Sequence, residues 1–234
     1  MESRKTRHEA IIAIGGVGLG AAFFFLRGER GNGTAPRVAG SAASGTGGGR
    51  CSLTPELTEG PYYIASEPFR RNITEGKAGV PLKLVLRVED ADTCEPIRNG
   101  TVEIWHADAD GNYSGYGSTT SNTTFLRGQQ RCDNHGEVKF KTIYPGWYVS
   151  RTAHIHCKVH VSGNTVHTGQ LFFKDRISDK VYEKALYAER GERDTTNAND
   201  SLFAGGGVES VVRLRKPKRG RGYRGELTLA VSQS

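Results

Sequence analysis

Only four cysteines occur in the 234 residues, Cys51, Cys94, Cys132 and Cys157, and no two of them form a Cys-x-x-Cys pair. That spacing argues against a thiolate zinc site. Four thiols still allow one or two disulfides, in three complete pairings among which the sequence does not choose. Apolar length is also scarce. The most apolar run, residues 11–26, is glycine-rich and falls short of the ~20 residues a spanning helix prefers. Large apolar side chains are nearly absent from residues 28–50, so this segment cannot offset its chain entropy and reads as a flexible tether. Helical signals are confined to a short stretch near residues 179–187, and no internal repeat is present.

Charge of one sign is in excess. Lys and Arg total 32 against 25 Asp and Glu, a net +7. Much of the surplus sits at the two ends, in Arg4, Lys5 and Arg7 and across residues 213–221. The second run lacks an aromatic ladder or an RNA-binding motif, so it reads as a solvated loop between strands and no nucleic-acid partner is expected. At the N-terminus, basic residues precede the apolar run, and Arg27, Glu29 and Arg30 follow it. This suits a signal peptide or short signal anchor over residues 1–27. Ser3-Arg4-Lys5 resembles a twin-arginine start that lacks its second arginine. The expectation is a secreted or extracytoplasmic protein, touching membrane only through this segment if it is retained.

From Cys51 the texture changes, and residues 51–234 read as one folded domain. Leu82, Leu84, Leu86 and Val88 alternate with more polar neighbours, as do Val102 and Ile104, then Val138, Phe140 and Thr142. Residues 170–173 and 226–231 look like further strands. Turn chemistry separates them at Asp110-Gly111-Asn112, Asp133-Asn134-His135-Gly136 and Tyr144-Pro145-Gly146. The pattern predicts an all-β sandwich of mostly antiparallel strands, with long loops and one short helix.

What carries chemistry is a pair of histidines. Ala153, Ile155, Cys157, Val159 and Val161 form one face of an extended segment; Thr152, His154, His156 and Lys158 form the other. Both imidazoles can therefore reach one metal ion. Tyr148 and Arg151 arrive from the loop just before them, and Tyr113 follows the Asp110-Gly111-Asn112 turn. A free phenol titrates near ~10 and must lose its proton to ligate. Hard phenolate oxygen suits a hard, high-charge ion such as ferric iron. Two other readings stand beside this one. His154, His156 and a carboxylate such as Asp108 could hold zinc or ferrous iron. A non-catalytic β-sandwich binding module could carry a remnant site. Cys157 reads as a buried thiol. His160 lies farther along the histidine face and is expected in solvent. His106 is expected to hydrogen-bond near the site without ligating.

Several segments recur in one recognisable order. They are Leu53-Thr54-Pro55-Glu56-Leu57-Thr58-Glu59-Gly60-Pro61-Tyr62-Tyr63, then Val102-Glu103-Ile104-Trp105-His106 running on to Tyr113-Ser114. Phe125-Leu126-Arg127-Gly128, Thr142-Ile143-Tyr144-Pro145-Gly146-Trp147-Tyr148 and Arg151-Thr152-Ala153-His154-Ile155-His156 follow. Gln170-Leu171-Phe172-Phe173 and residues 193–200 complete the series. In this order the chain resembles the intradiol ring-cleavage dioxygenases, the family of catechol and protocatechuate dioxygenases, and their exported single-domain branch in particular. The resemblance implies one ferric ion per chain, Fe(3+), held by Tyr113, Tyr148, His154 and His156. It implies catechols and O2 as substrates, cleavage between the two hydroxyl-bearing carbons, and muconic-acid-type products. Tyr148 would yield its place to the substrate and accept a proton, Arg151 would stabilise negative charge on the ring, and Gln170 would support the site. Tyr62, Tyr63 and Trp147 would line the substrate pocket. The chain departs from the pattern at Ala107, where such relatives often carry cysteine, and at Cys132 and Cys157.

Overall fold

The computed structural model describes residues 51–233. The expected leader, residues 1–27, and tether, residues 28–50, lie outside the described residues. The strands in chain order are β1 (Pro81–Asp90), β2 (Thr101–Trp105), β3 (Arg127–Arg131), β4 (Glu137–Ile143), β5 (His154–Val161), β6 (Asn164–Phe172), β7 (Arg213–Arg215) and β8 (Tyr223–Val231). They form two four-stranded sheets, ordered β4-β1-β8-β7 and β3-β2-β5-β6. Only β1 and β8 run parallel among these pairings; the others are antiparallel. The expected sandwich is therefore the architecture observed.

Alternation sends successive side chains to opposite faces of a strand. Along β1, Leu82, Leu84, Leu86 and Val88 are fully buried while Lys83 and Arg87 are exposed. Val102 and Ile104 from β2, Ile155, Cys157 and Val159 from β5, and Val138 and Phe140 from β4 join them in one core between the sheets. Each fully buried leucine or valine contributes about 1.5–3 kcal/mol relative to exposure. Cys157 is, as expected, a free thiol with no exposed surface. Cys51 and Cys94 are joined by a disulfide, which ties the start of the domain to the turn after β1.

The helical content differs from expectation. In place of one helix over residues 179–187 there are α2 (Asp175–Tyr182) and α3 (Ala185–Ala188), with α1 (Gly117–Thr120) earlier and α4 (Ser201–Ala204) later. Two tyrosines explain the break between α2 and α3. Tyr182 donates to Pro145 O at 3.1 Å, and Tyr187 donates to Tyr144 O at 2.8 Å. Five residues apart they would point to different sides of a continuous helix. An extended Lys184 (φ −79°, ψ 138°) lets both enter the core.

β5 is dry on both faces. His154, His156 and Lys158 are buried like the core residues between them. The cover comes from the N-terminal part of the domain. Leu57 N donates to Thr168 O at 2.9 Å, and Gln170 Nε2 donates to Thr58 O at 2.8 Å. Gly60 lies directly over His156, where an added Cβ would meet Cε1 at 3.1 Å, and its φ of +72° also favours glycine.

Gly146 locks two loops together at the end of this sheet. Its N–H donates to Asp108 O at 3.0 Å, and an added Cβ would stand 2.3 Å from Asp108 O and 2.6 Å from Ala109 O. Those are backbone atoms with no rotamer to yield. Gly146→Ala should therefore cost about 1–3 kcal/mol, the usual penalty of overpacking. A thermal melt reads this as a lower midpoint; an unchanged midpoint would show that the two loops are free to separate.

Candidate metal centre

Four polar side chains meet at the His154 end of β5. His154 Nε2 lies 3.1 Å from His156 Nε2, 3.2 Å from Tyr148 Oη and 3.4 Å from Tyr113 Oη. The sequence placed exactly two of these by alternation; loops bring the other two. His154 Nδ1 donates to Thr152 O at 2.7 Å, which leaves Nε2 as a bare lone pair. His156 is fixed by the Trp105 indole stacked on it, at 5.0 Å between centroids and 6° between planes.

Tyr113 comes from the turn after β2. Asp108 shapes that turn: its Oδ1 accepts from Asp110 N at 3.0 Å and Asn112 N at 2.9 Å, and its Oδ2 accepts from Lys77 Nζ at 2.7 Å. Arg127 anchors the next residue, donating to Ser114 O and Oγ at 2.8 Å each, while it pairs with buried Glu67 at 3.1 Å. Tyr62 stacks on the Tyr113 ring at 4.3 Å, so the phenol is buried and held. Tyr148 is only half-buried and precedes a tight turn in which Arg151 N donates to Tyr148 O at 3.1 Å and Ser150 has φ +65°. Because β5 begins at His154, Arg151 escapes the strand's alternation and points to the histidine side.

Arg151 is gripped from three directions. Its Nε donates to Asp200 Oδ2 at 2.9 Å, its Nη2 to Gln170 Oε1, and its Nη1 reaches His154 Nε2 at 3.4 Å. Burial pushes the Asp200 carboxyl up, but hydrogen bonds from Thr152 N–H and the Arg151 guanidinium outweigh it and hold the group below the usual carboxylate range. The other carboxylate oxygen of Asp200 caps α4, accepting from Leu202 N at 2.9 Å and Phe203 N at 3.1 Å.

The arrangement fits a cation. Two phenols and a guanidinium N–H converge on one imidazole lone pair, which cannot accept from all of them, and His156 Nδ1 has no hydrogen-bond partner. Burial, with Arg151 beside it, lowers His154 to about 3; burial, with His154 beside it, holds His156 well below its ordinary value. Both rings are neutral near pH 7 and free to ligate. Burial raises both phenols, Tyr113 most. They would become phenolates only against a strong Lewis acid. Tyr113, Tyr148, His154 and His156 could hold such an ion, and their oxygen-rich character suits a hard one.

Other expectations fare differently. Asp108 spends both oxygens on its turn and on Lys77, and among the described residues no group of three or more His, Cys, Asp or Glu could hold a metal ion. The reading of His154, His156 and Asp108 as a zinc or ferrous set is thereby excluded. Tyr62 and Tyr63 join an aromatic cluster with Trp105 and Tyr113 beside the site. Trp147 instead packs into the main core, with the Arg190 guanidinium 4.4 Å over its ring. His106 hydrogen-bonds Ala107 O and Thr142 Oγ1, at 2.8 and 2.7 Å, and does not ligate. His160 is not in solvent but pairs with buried Glu103 at 2.9 Å. Sequence reasoning gave no role to Asp200 or Arg127. Asp200 had a signal, an N-cap residue before a short apolar turn; Arg127 had none, because its buried carboxylate partner lies 60 positions away.

Three comparisons bear on this site. A family model described as "Dioxygenase" matches residues 58–200. A solved intradiol ring-cleavage dioxygenase from Tetranychus urticae superposes with a TM-score of 0.74 at 35% identity, covering 78% of this chain and 95% of that one. The catechol 1,2-dioxygenase of Acinetobacter baylyi is 31% identical over 144 residues, 51% of this chain and 46% of that protein. The chlorocatechol 1,2-dioxygenase of Cupriavidus pinatubonensis is 26% identical over 151 residues, 54% of this chain and 57% of that protein. The chain thus spans about half the length of the curated relatives it matches.

Four buried histidines set a pH response. His106, lowered to about 4 by burial, and His167, also lowered by burial, join His154 and His156 in staying neutral when folded, whereas unfolded imidazoles titrate near 6.5. Between those values the unfolded chain binds more protons, so stability present above about pH 6.5 is lost as pH falls. Glu67, lifted to about 7 by burial, acts in the opposite sense over part of this range, one group against four. The melting midpoint of metal-free protein should drop from pH 6.5 to 4. A flat or rising midpoint would mean the imidazoles are solvated.

Proposed function

The chain belongs to the intradiol ring-cleavage dioxygenases, and from that premise we propose that it cleaves catechol-type rings between their two hydroxyl-bearing carbons. The observation that carries this reading is the convergence of Tyr113, Tyr148, His154 and His156 with Arg151 at their edge. The overall reaction adds both atoms of O2 to the ring as one carbon–carbon bond breaks, giving a muconic-type diacid with no external reductant. Ferric iron, one per chain, supplies when bound the Lewis acidity that draws electron density from a chelated catecholate.

The chain's own residues do the rest. Tyr148, half-buried on a tight turn, is the residue able to swing aside, its phenolate taking up a proton from the incoming catechol hydroxyl and leaving as the neutral phenol. Tyr113, clamped under Tyr62 and anchored through Ser114, stays in place. Arg151 presents a fixed positive charge where the ring becomes electron-rich, and Asp200 and Gln170 keep the guanidinium from turning away. Tyr62 and Tyr63 offer aromatic walls. We also place the protein outside the cytoplasm: the basic–apolar start of the chain is of the export type, and the Cys51–Cys94 disulfide is of a kind that persists in oxidising compartments.

Oxygen uptake by iron-loaded protein across a panel of substituted catechols tests the reaction. One O2 should be consumed per ring with a diacid product, and the protein should be coloured by phenolate-to-iron charge transfer. A colourless protein that binds catechols without consuming O2 would establish the binding-module reading instead. Arg151→Ala should keep the iron and its colour but lose about 10²–10³-fold in kcat, the usual size of a lost charge-stabilising donor. A fully active variant would remove that role from Arg151.

A further inference from the structure

The solvent face of the other sheet carries an unusual line of charge. Lys83 on β1 is paired in register with Lys141 on β4 and with Arg224 on β8, and Arg224 is paired with Arg215 on β7. One register row thus crosses all four strands as Lys141, Lys83, Arg224, Arg215, and all four side chains are exposed. Neighbouring strands lie about 4.8 Å apart, so the four cations of the row spring from backbone positions at about that spacing. The row beside it holds Lys139, Val85, Glu226 and Arg213. Arg224 pairs with Glu226 at 2.7 Å, and Lys139 pairs with Glu137 at 3.0 Å and Asp133 at 3.6 Å. Lys83, Lys141 and Arg215 make no ion pair among the described residues. A groove of about 240 Å³ opens at the β4 side of this row, bordered by Arg71, Lys83, Lys139, Lys141 and Arg224. Exposed Lys216, Lys218, Arg219 and Arg221 follow in the loop between β7 and β8.

Like charges directly opposite one another on paired strands destabilise a sheet. The outer edge of β4 at Lys141 is already paired with residues 71–73, and only Arg215 on β7 answers the need to prevent edge-to-edge pairing. That need does not reach β1 and β8, which are interior strands, yet Lys83 and Arg224 sit there. A ligand that supplies the missing negative charge explains all four.

We propose that this face is a docking surface for a linear anionic polysaccharide carrying one carboxylate per sugar, a polyuronate. A regularly repeating chain of carboxylates matches a regularly repeating row of cations, and the groove is of a size to seat a sugar ring. Single-stranded nucleic acid would call for aromatic stacking platforms. The exposed large apolar residues, Leu53, Ile64, Phe69, Val149, Leu186 and Val208, all lie off these strands. A flat sheet face also does not enter a duplex groove as a helix does. A membrane surface would be met with apolar side chains among the cations, and Val85 on this face is buried. The proposal stands on the charge row alone and does not depend on the ring-cleavage reading.

Binding of the full chain to polygalacturonate, measured across a salt series, tests it. Wild-type protein should bind, with affinity falling as salt rises. The double variant Lys83→Ser, Arg224→Ser should bind at least about tenfold more weakly. Arg176→Ser, Lys180→Ser, which removes the same charge from α2, should stay within about twofold of wild type. Thermal melts check that each variant is folded, and should the first fail to fold, Lys141→Ser, Arg215→Ser reads the same row from the edge strands. Equal losses in both pairs would reduce the effect to net charge and overturn the proposal. So would tighter binding of a DNA oligonucleotide, or of phosphatidylglycerol vesicles, than of polygalacturonate.

Discussion

The covering of β5 on its second face is the constraint from which the site follows. A strand in a two-layer sandwich ordinarily keeps one face wet. Here residues 57–60 lie across the outer face, with Gly60 against His156 and the Thr58 carbonyl holding Gln170. Water is thereby kept from two imidazoles set two residues apart. Dry imidazoles stay neutral and neutral imidazoles can offer lone pairs; the one on His154 Nε2 has His156 Nε2 at 3.1 Å and two phenols close by, a point where a cation fits. Phenols drawn to the same point cannot ionise there unaided, because burial raises them as surely as it lowers the histidines. The burial that makes the ligands available also makes them dependent on the ion.

Arg151 would be costly in such a place if it stood alone, since an unpaired buried charge is strongly unfavourable. Asp200 offsets it, and the same carboxylate caps the helix on which it sits, so helix position and guanidinium position are fixed together. Arg127 and Glu67 repeat the arrangement on the opposite side. That pair is almost wholly buried and holds the loop bearing Tyr113. Two phenol-bearing loops are thus each steadied by an arginine, and each arginine by an acid distant in sequence. Of the two phenols, Tyr148 is the less deeply buried.

Much of this was legible in the chain. The alternation of Leu82 to Val88, and of Ala153 to Val161 against the histidines, carries the strands and the shared face of His154 and His156 on sequence spacing alone. The need for Arg151 to lie before the regular strand was equally readable from parity. What escaped has a common cause. β3 and β7 are polar and defined by their neighbours, not by their own apolar pattern. The α2–α3 break exists because two tyrosines seek one core from different sides. His160 was expected in water because its partner, Glu103, is buried on the adjacent strand through a pairing that no local window contains. Trp147, beside Tyr148 in sequence, packs into the core while the Tyr148 phenol reaches His154. Local pattern carries the elements; the partners come from register and from loop closure.

The two outer faces of the sandwich meet opposite fates from similar sequences. Both sheets alternate apolar with polar residues, and both direct cations outward. On the β5 sheet the polar row is Arg127, Trp105, His156 and Gln170, read across four strands in register, and a chain segment closes over it. On the β1 sheet the matching row is Lys141, Lys83, Arg224 and Arg215, and no described segment covers it. Covering a row removes its solvation, so its imidazole stays neutral and its charge is paired, while Trp105 Nε1 and His156 Nδ1 are left without a hydrogen-bond partner. Leaving it open preserves charge but sets like against like along the sheet. The first condition suits a site that must discriminate by geometry at a point. The second suits attraction along a line, where the ligand supplies the counter-charge that the fold itself leaves out.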